Sequence, residues 1–386
     1  MLQVFYGARL FDGVSLHEDR ALVVEDGEVR AIVDVGERPR GGEQRDLGGG
    51  VLTPGFIDWQ VNGGGGVLFN ATPTADAIGA IAAAHRREGT TAILPTVITD
   101  APEVLAAALP AAREAAARRD GSFGVHVEGP YIDPRRKGVH RPEFMRVMGD
   151  EDEAQLIAAR AGAMVVTVAP AAVSLDRIRR LAAAGVIVSL GHAEATAEEA
   201  KAAFAAGASA VTHLFNAMSQ LGSRAPGLVG AALAEPGVVC GLIADGLHVH
   251  DAAMRSALNA KGPQDIALVS DAMPPAAGGP ASFSLQGRLM TRVGSRLLSE
   301  DGALAGAAIT MLDAVHYVVR NLGLPLADAL RMATSTPARM LRLDGTIGHL
   351  APGLRADLVH LGDELELAGV WIGGTRNEEA ARSDIA

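Results

Sequence analysis

The feature that most constrains this chain is an alternation between short apolar, β-leaning runs and Ala-rich stretches with helical spacing. The runs fall at residues 51–58, 91–97, 123–128, 163–169, 185–190, 209–213, 238–244 and 266–270. Most are separated by stretches such as 74–88, 101–119, 175–184 and 196–206, where apolar positions recur with the period of an amphipathic helix. Strand–helix–strand order requires crossover connections, which are right-handed and generate a parallel sheet. Eight such runs favour a closed (β/α)8 barrel of the TIM type over an open doubly wound sheet. No phosphate loop of Rossmann or P-loop spacing follows the first run, and the glycine run at 63–66 lacks that spacing.

The two ends of the chain have a different character. Residues 1–50 alternate apolar and polar positions between Gly and Asp turns, as short antiparallel strands do. Residues 356–361 and 369–374 return to that pattern. The ends are therefore expected to pair into a small β-sandwich domain, residues 1–53 plus 345–386. The barrel, residues 54–344, is expected to be inserted between them.

Polar residues punctuate the C-terminal ends of the apolar runs: Asp58 and Gln60, Glu128, His192, His213, Asp245 and His248, and Asp271. A barrel gathers such positions around one mouth, where its active sites are built. Singly, each has a plain structural use, as a hydrogen-bonded strand-end histidine, a salt-bridged carboxylate or a helix cap. Together, Glu128, His192 and His213 supply one carboxylate and two imidazoles, a catalytic zinc set that leaves a fourth position open. The same donors suit iron, manganese or cobalt. Asp271 is then placed to take a proton from the attacking water and return it to a leaving amine. His248 can hydrogen-bond the scissile carbonyl. His126 shares the strand face of Glu128 and reads as a packed histidine behind the site.

Composition removes several other classes. The formal net charge is −11, with no basic stripe, which disfavours nucleic acid as a partner. Cys240 is the only cysteine, so intrachain disulfides and paired-thiolate metal sites are excluded. No apolar run approaches the ~18–20 residues that span a bilayer, and no secretory leader is visible at the N-terminus. The expected location is the cytoplasm, with no membrane partner.

The segments that carry these residues resemble the N-acetylglucosamine-6-phosphate deacetylase family of metal-dependent amidohydrolases. They are Pro54-Gly-Phe-Ile-Asp-Trp-Gln-Val-Asn-Gly63, His126-Val-Glu-Gly-Pro-Tyr131, Gly191-His192, Thr212-His-Leu-Phe-Asn-Ala-Met218, Ile243-Ala-Asp-Gly-Leu-His248, Ser270-Asp271 and Leu304-Ala-Gly306. The resemblance covers nearly the whole chain. It implies hydrolysis of the acetamide of N-acetyl-D-glucosamine 6-phosphate, with Glu128, His192 and His213 as metal ligands and Asp271 as general base and acid. It further implies that His248 polarises the acetyl carbonyl and His140 contacts the sugar. Asn216 and Ala217 would bind the phosphate end with Arg224, which relatives contribute from the neighbouring subunit of a homodimer. Leu304, Ala305 and Gly306 would line the sugar pocket. Many barrel amidohydrolases carry His-x-His after the first strand and a lysine after the fourth, and so bind two metals. Here Gln60-Val-Asn62 and Val168-Ala-Pro170 stand in those places, so one metal ion per subunit is expected, zinc before iron, manganese or cobalt. Gln60 and Asn62 are then expected beside the metal site rather than as ligands.

Three rival readings compete with this one. They are a deacetylase for an isomer such as N-acetylgalactosamine 6-phosphate, another mononuclear amidohydrolase, and a barrel that binds without catalysis. The last should have lost a ligand or Asp271, and all four positions are filled.

Overall fold

A computed structural model describes residues 1–300 and 302–379. Its centre is one parallel sheet of eight strands. In chain order these are β1 (Phe56–Val61), β2 (Thr90–Ile98), β3 (Gly124–Glu128), β4 (Ala163–Val168), β5 (Ile187–Leu190), β6 (Ala208–Val211), β7 (Val239–Leu242) and β8 (Ile266–Leu268). Each pairs in parallel with its neighbour in sequence, the signature of repeated right-handed crossovers. Helices α1 (Ala75–Arg86), α2 (Pro102–Arg118), α3 (Asp150–Ala159), α4 (Leu175–Ala183), α5 (Ala197–Ala205), α6 (Gly227–Ala234) and α7 (Asp251–Lys261) fill the connections, and α8 (Met311–Arg320) follows β8 after an insertion. Sequence explains several of their starts. Thr74, Ser174, Thr196 and Thr310 each accept a backbone N–H of the first turn, and Thr196 and Thr310 complete capping boxes with Glu199 and Asp313.

The sheet closes on itself through a seam unlike its other seven contacts. Between β1 and β8 there is a single parallel bridge, Val61 to Ala272, and the Ala272 carbonyl accepts the N–H groups of both Asn62 and Gly63 at 2.9 Å. Below that bridge the seam is made by side chains. Asp58 accepts the Ser270 hydroxyl and, at 3.3 Å, the Ser270 N–H.

Two apolar layers hold the barrel. Outward-facing residues such as Phe56, Val125, Val127, Val166 and Val188 pack under helix residues such as Ile78, Ile81, Leu109 and Leu181. A separate cluster fills the interior, with Ile57, Trp59, Leu94, Val165, Ile187, Val239 and Val269 as members. Trp59 is fully buried there, and its ring lies 5.5 Å from that of His126. Burial of apolar area at roughly 25 cal/mol per Å² is the main favourable contribution of both layers.

Outside the barrel, Val51–Pro54 runs antiparallel to Leu358–Leu361, within a six-stranded sheet that also contains Arg9–Phe11 and Leu367–Ile372. A four-stranded sheet built from Leu2–Tyr6, Arg20–Glu25, Glu28–Asp34 and Glu43–Asp46 faces it. Phe5, Leu22 and Val24 from one sheet pack with Leu10, Leu52, Leu358 and Trp371 from the other, which makes the pair a β-sandwich. Residues 380–386, assigned to this region from the sequence, lie outside the described residues.

Two features differ from the sequence expectation. The first apolar run, 51–58, is not one strand: it breaks at Gly55, with Val51–Pro54 in the sandwich and β1 continuing to Val61. A Cβ on Gly55 would lie 2.0 Å from Thr91 Oγ1, so this switch between sheets needs a residue without a side chain. The second is an antiparallel meander, Ser282–Leu285, Arg288–Val293 and Arg296–Ser299, inserted after β8. Its Leu285, Met290 and Leu297 pack on Ile98 and Met273 at the C-terminal mouth of the barrel. Among the described residues no helix is long and apolar enough to cross a membrane.

The interior plug makes a direct expectation. Trp59→Ala should cost about 3–5 kcal/mol in denaturant unfolding, the range for deleting a buried large aromatic. A loss below about 1 kcal/mol would show that the barrel does not depend on this side chain.

Candidate metal centre and active site

The strand ends bring one carboxylate and two imidazoles to a point. Glu128 closes β3, and its Oε1 lies 3.2 Å from His192 Nε2 and 2.9 Å from His213 Nε2. The two ring nitrogens are themselves 3.1 Å apart. All three side chains are buried. His192 and His213 follow β5 and β6 directly and hold left-handed backbone angles, φ +46° and +30°. Such conformations are costly for non-glycine residues and collect at functional sites. Here they turn each imidazole off its strand toward the barrel axis.

The remote atoms set the protonation pattern. His192 Nδ1 lies 2.8 Å from the Arg136 carbonyl, so this nitrogen carries the proton and Nε2 presents a lone pair to the centre. Burial works against charge on His213, but contact with Glu128 outweighs it and the His213 pKa is raised. Burial likewise opposes charge on Glu128, yet its close contacts with His192 and His213 hold its carboxyl well below the usual range. Three electron-rich atoms within about hydrogen-bond distance of one another call for positive charge between them. A carboxylate and two imidazoles are the donors a divalent first-row cation takes, and the residues present fit that group.

His140 is the neighbour that complicates the ligand set. It offers an atom within 4.8 Å of donors on Glu128 and His192, and its ring centroid is 4.4 Å from that of His192. Its Nδ1 is engaged by Thr99 Oγ1 at 2.8 Å, whereas His213 touches both other donors directly. Glu128, His192 and His213 therefore form the tighter set. Burial pushes His140 down to about 3, so its ring is neutral around pH 7.

Asp271, past the end of β8, faces this cluster at φ +49°. Asn62 Nδ2 donates to its Oδ1 at 2.7 Å and Gln60 Nε2 to the same oxygen at 3.2 Å. Gln60 also donates to both Glu128 oxygens, at 3.2 and 3.3 Å. The two amides are thus hydrogen-bond donors, and that of Gln60 bridges the two carboxylates. Burial, then the charge of Glu128, raises the Asp271 pKa, against His213, His248 and Asn62. His248 Nδ1 lies 2.6 Å from Asp245 Oδ2, which directs Nε2 away from Asp245. The remaining Asp245 oxygen accepts the N–H groups of Leu247 and His248.

A polar floor lies beneath the centre. His126 Nε2, Thr167 Oγ1, Thr212 Oγ1 and Ser189 Oγ form a chain with each separation 2.7 Å. Burial pushes His126 down to about 4, which makes it a neutral packed histidine.

The other sequence candidates are placed unevenly. Leu304 and Ala305 pair with Leu298 and Leu297 of the meander, and the segment reaches Asp271 at Gly306, where the Ala307 N–H donates to the Asp271 carbonyl at 2.9 Å. A Cβ on Gly306 would sit 2.9 Å from that carbonyl, which accounts for glycine there. Asn216 turns its amide to the His213 and Leu214 carbonyls at 3.3 Å, and Ala217 has φ +49°. Arg224 is exposed on the loop before α6 and is not brought to the centre within this chain. Sequence reasoning named Asp245 as a strand-end residue but not as the anchor of His248, and it missed Thr99 behind His140 and the Arg136 carbonyl behind His192. Only the first had a signal, the i, i+3 spacing of Asp245 and His248.

Known proteins resemble this chain over nearly its whole length. The Amidohydrolase family model matches residues 51–376. An N-acetylgalactosamine-6-phosphate deacetylase from Shewanella sp. (strain ANA-3) is 39% identical over 383 residues, covering 98% of this chain and 97% of its own. An N-acetylglucosamine-6-phosphate deacetylase from Haemophilus influenzae is 34% identical over 365 residues, covering 93% and 95%. The crystal structure of N-acetylglucosamine-6-phosphate deacetylase from Pasteurella multocida superposes with a TM-score of 0.94 at 34% identity, covering 98% of this chain and 100% of that one. The chain belongs to the amidohydrolase family, among relatives that are deacetylases of N-acetylated hexosamine 6-phosphates.

Proposed function

We propose that this chain hydrolyses the acetamide of N-acetyl-D-glucosamine 6-phosphate, releasing acetate and D-glucosamine 6-phosphate. The observation that carries the reading is the convergence of Glu128, His192 and His213 beside the buried Asp271. Those three side chains would hold one divalent ion, zinc before iron, manganese or cobalt. When bound, such an ion lowers the pKa of a coordinated water toward ~7 and polarises a carbonyl oxygen.

The chain's own residues do the rest. Both amide donors bind Asp271 Oδ1, which leaves Oδ2 to take the proton of the attacking water. His248, whose Nδ1–H is held by the Asp245 carboxylate, would donate its Nε2–H to the acetyl oxygen as negative charge develops there. The tetrahedral intermediate collapses as Asp271 passes its proton to the sugar nitrogen and the carbon–nitrogen bond breaks. His140, neutral and held by Thr99, offers Nε2 to a sugar hydroxyl. Leu304, Ala305 and Gly306 form a wall of the sugar pocket. Asn216 and Ala217 meet the phosphate end, completed by Arg224 from a second subunit of a homodimer. Arginine suits that role because its planar fork makes paired, charge-assisted bonds to phosphate. Besides that second subunit, the partner in this reading is a small phosphorylated amino sugar, processed in the cytoplasm without nucleic acid or membrane.

A second reading has one observation in its favour. The relative at 39% identity is named for the galacto isomer, which differs from the gluco sugar only at C4. Purified protein should be assayed for acetate release from both sugar phosphates and from unphosphorylated N-acetylglucosamine. The expected outcome is a higher kcat/KM for the gluco phosphate and little turnover without phosphate. Preference for the galacto isomer would transfer the assignment to it, and inactivity on all three would refute the reading.

Two further outcomes are expected. Asp271→Asn should keep its metal content by elemental analysis and lose roughly 10²–10⁴-fold in kcat, the span of a general acid–base contribution. Complete removal of metal by chelation should abolish acetate release, and zinc should restore it. Turnover that survives metal removal would rule out activation of water by the ion.

A further inference from the structure

The buried carboxylate of Asp58 has no part in the chemistry above, and its surroundings say what it does. It sits on the β1–β8 seam, fully buried, where a backbone ladder is reduced to one bridge. Its Oδ1 accepts the N–H of Gln60 at 3.2 Å and of Ser270 at 3.3 Å. Its Oδ2 accepts the Ser270 hydroxyl, and that hydroxyl oxygen accepts the Ala272 N–H at 3.1 Å. Residues on both sides of Asp271 are therefore tied to one side chain. So is Gln60, whose amide bridges Asp271 and Glu128.

Asp271 needs such a restraint. Its left-handed backbone is unfavourable for an aspartate and persists only where neighbours over-determine it. Rotation about residue 271 would withdraw the carboxylate from Asn62 and from the metal centre together. On the far side, the Asp271 carbonyl accepts the Ala307 N–H and the Ala272 carbonyl accepts Asn62 and Gly63, so backbone bonds also hold that side, whereas the Ser270 N–H and hydroxyl rely on Asp58.

We propose that Asp58 is a positioning residue for the reaction: through Ser270 and Gln60 it sets the aim of the base Asp271 relative to the metal ligand Glu128. The inference rests on the deacetylase reading for its kinetic test and on geometry alone for its structural one. Asp58→Asn is nearly isosteric and keeps Oδ1 for the two backbone donors. It places an amide N–H opposite the Ser270 hydroxyl, which already accepts from Ala272 and then has no acceptor for its own proton. Ser270→Ala removes the same latch and leaves Asp58 in place.

The test measures kcat, KM and metal content for both variants, with crystal structures of each. A small error in aim can cost roughly 10²-fold in rate. The expected result is a fall in kcat of roughly tenfold or more, with KM within about threefold and metal retained. Adding Asp58→Asn to Asp271→Asn should then change the residual rate less than about twofold, since both act through one group. The crystal structures should show Asp271 Oδ1 displaced from Asn62 Nδ2. If Asp58→Asn does not fold, Ser270→Ala decides alone. An unmoved Asp271, unchanged kcat, or a loss expressed in KM or metal content would overturn the inference. A wild-type protein that releases no acetate counts against the substrate reading instead, and the position of Asp271 in the Ser270→Ala crystal still decides the role of Asp58.

Discussion

Three donor atoms that cannot comfortably face one another dominate this molecule. Glu128 Oε1, His192 Nε2 and His213 Nε2 are pressed to within 3.2 Å in a buried site. Burial in low dielectric magnifies both their mutual repulsion and their attraction for a cation. Such a cluster is maintained only by a frame that gains its stability elsewhere. The apolar layers inside and outside the barrel supply it, and the left-handed turns at His192, His213 and Asp271 are the local strain they carry.

Around that cluster four polar side chains are each anchored by a neighbour at one atom. His192 is held by the Arg136 carbonyl, His140 by Thr99, His248 by Asp245, and Asp271 by Asn62 and Gln60. This anchoring decides which nitrogen of each ring is free, so the tautomers follow from the frame rather than from the substrate. The amides of Gln60 and Asn62 donate the hydrogen bonds that keep two carboxylates, Glu128 and Asp271, in one small space.

Much of this was legible in the sequence because a barrel converts linear order into angular order. Once eight runs are recognised, a polar residue at the end of each is placed at the mouth whatever its distance along the chain. Glu128, His192, His213 and Asp271 stood out for that reason. Less legible was what depends on three dimensions. The break at Gly55 is hidden because Val51–Pro54 and β1 are both apolar strands, and only the neighbour across the gap shows that they lie in different sheets. The meander at 282–299 alternates polar and apolar positions as short strands do, but with Leu289 and Val293 exposed only Met273 and Ile98 beneath it show where it packs. Asp58 looked like one more mouth residue, whereas it latches the seam. Arg136 contributes a backbone carbonyl, for which a sequence carries no sign.

The central claim is that Glu128, His192 and His213, and not His140, grip a single ion. An anomalous-difference map from zinc-loaded crystals tests it most directly. The account requires one peak, about 2.0–2.2 Å from Glu128 oxygen and from Nε2 of His192 and His213. A peak ligated by His140 in place of His213, or no peak among these residues, would contradict it.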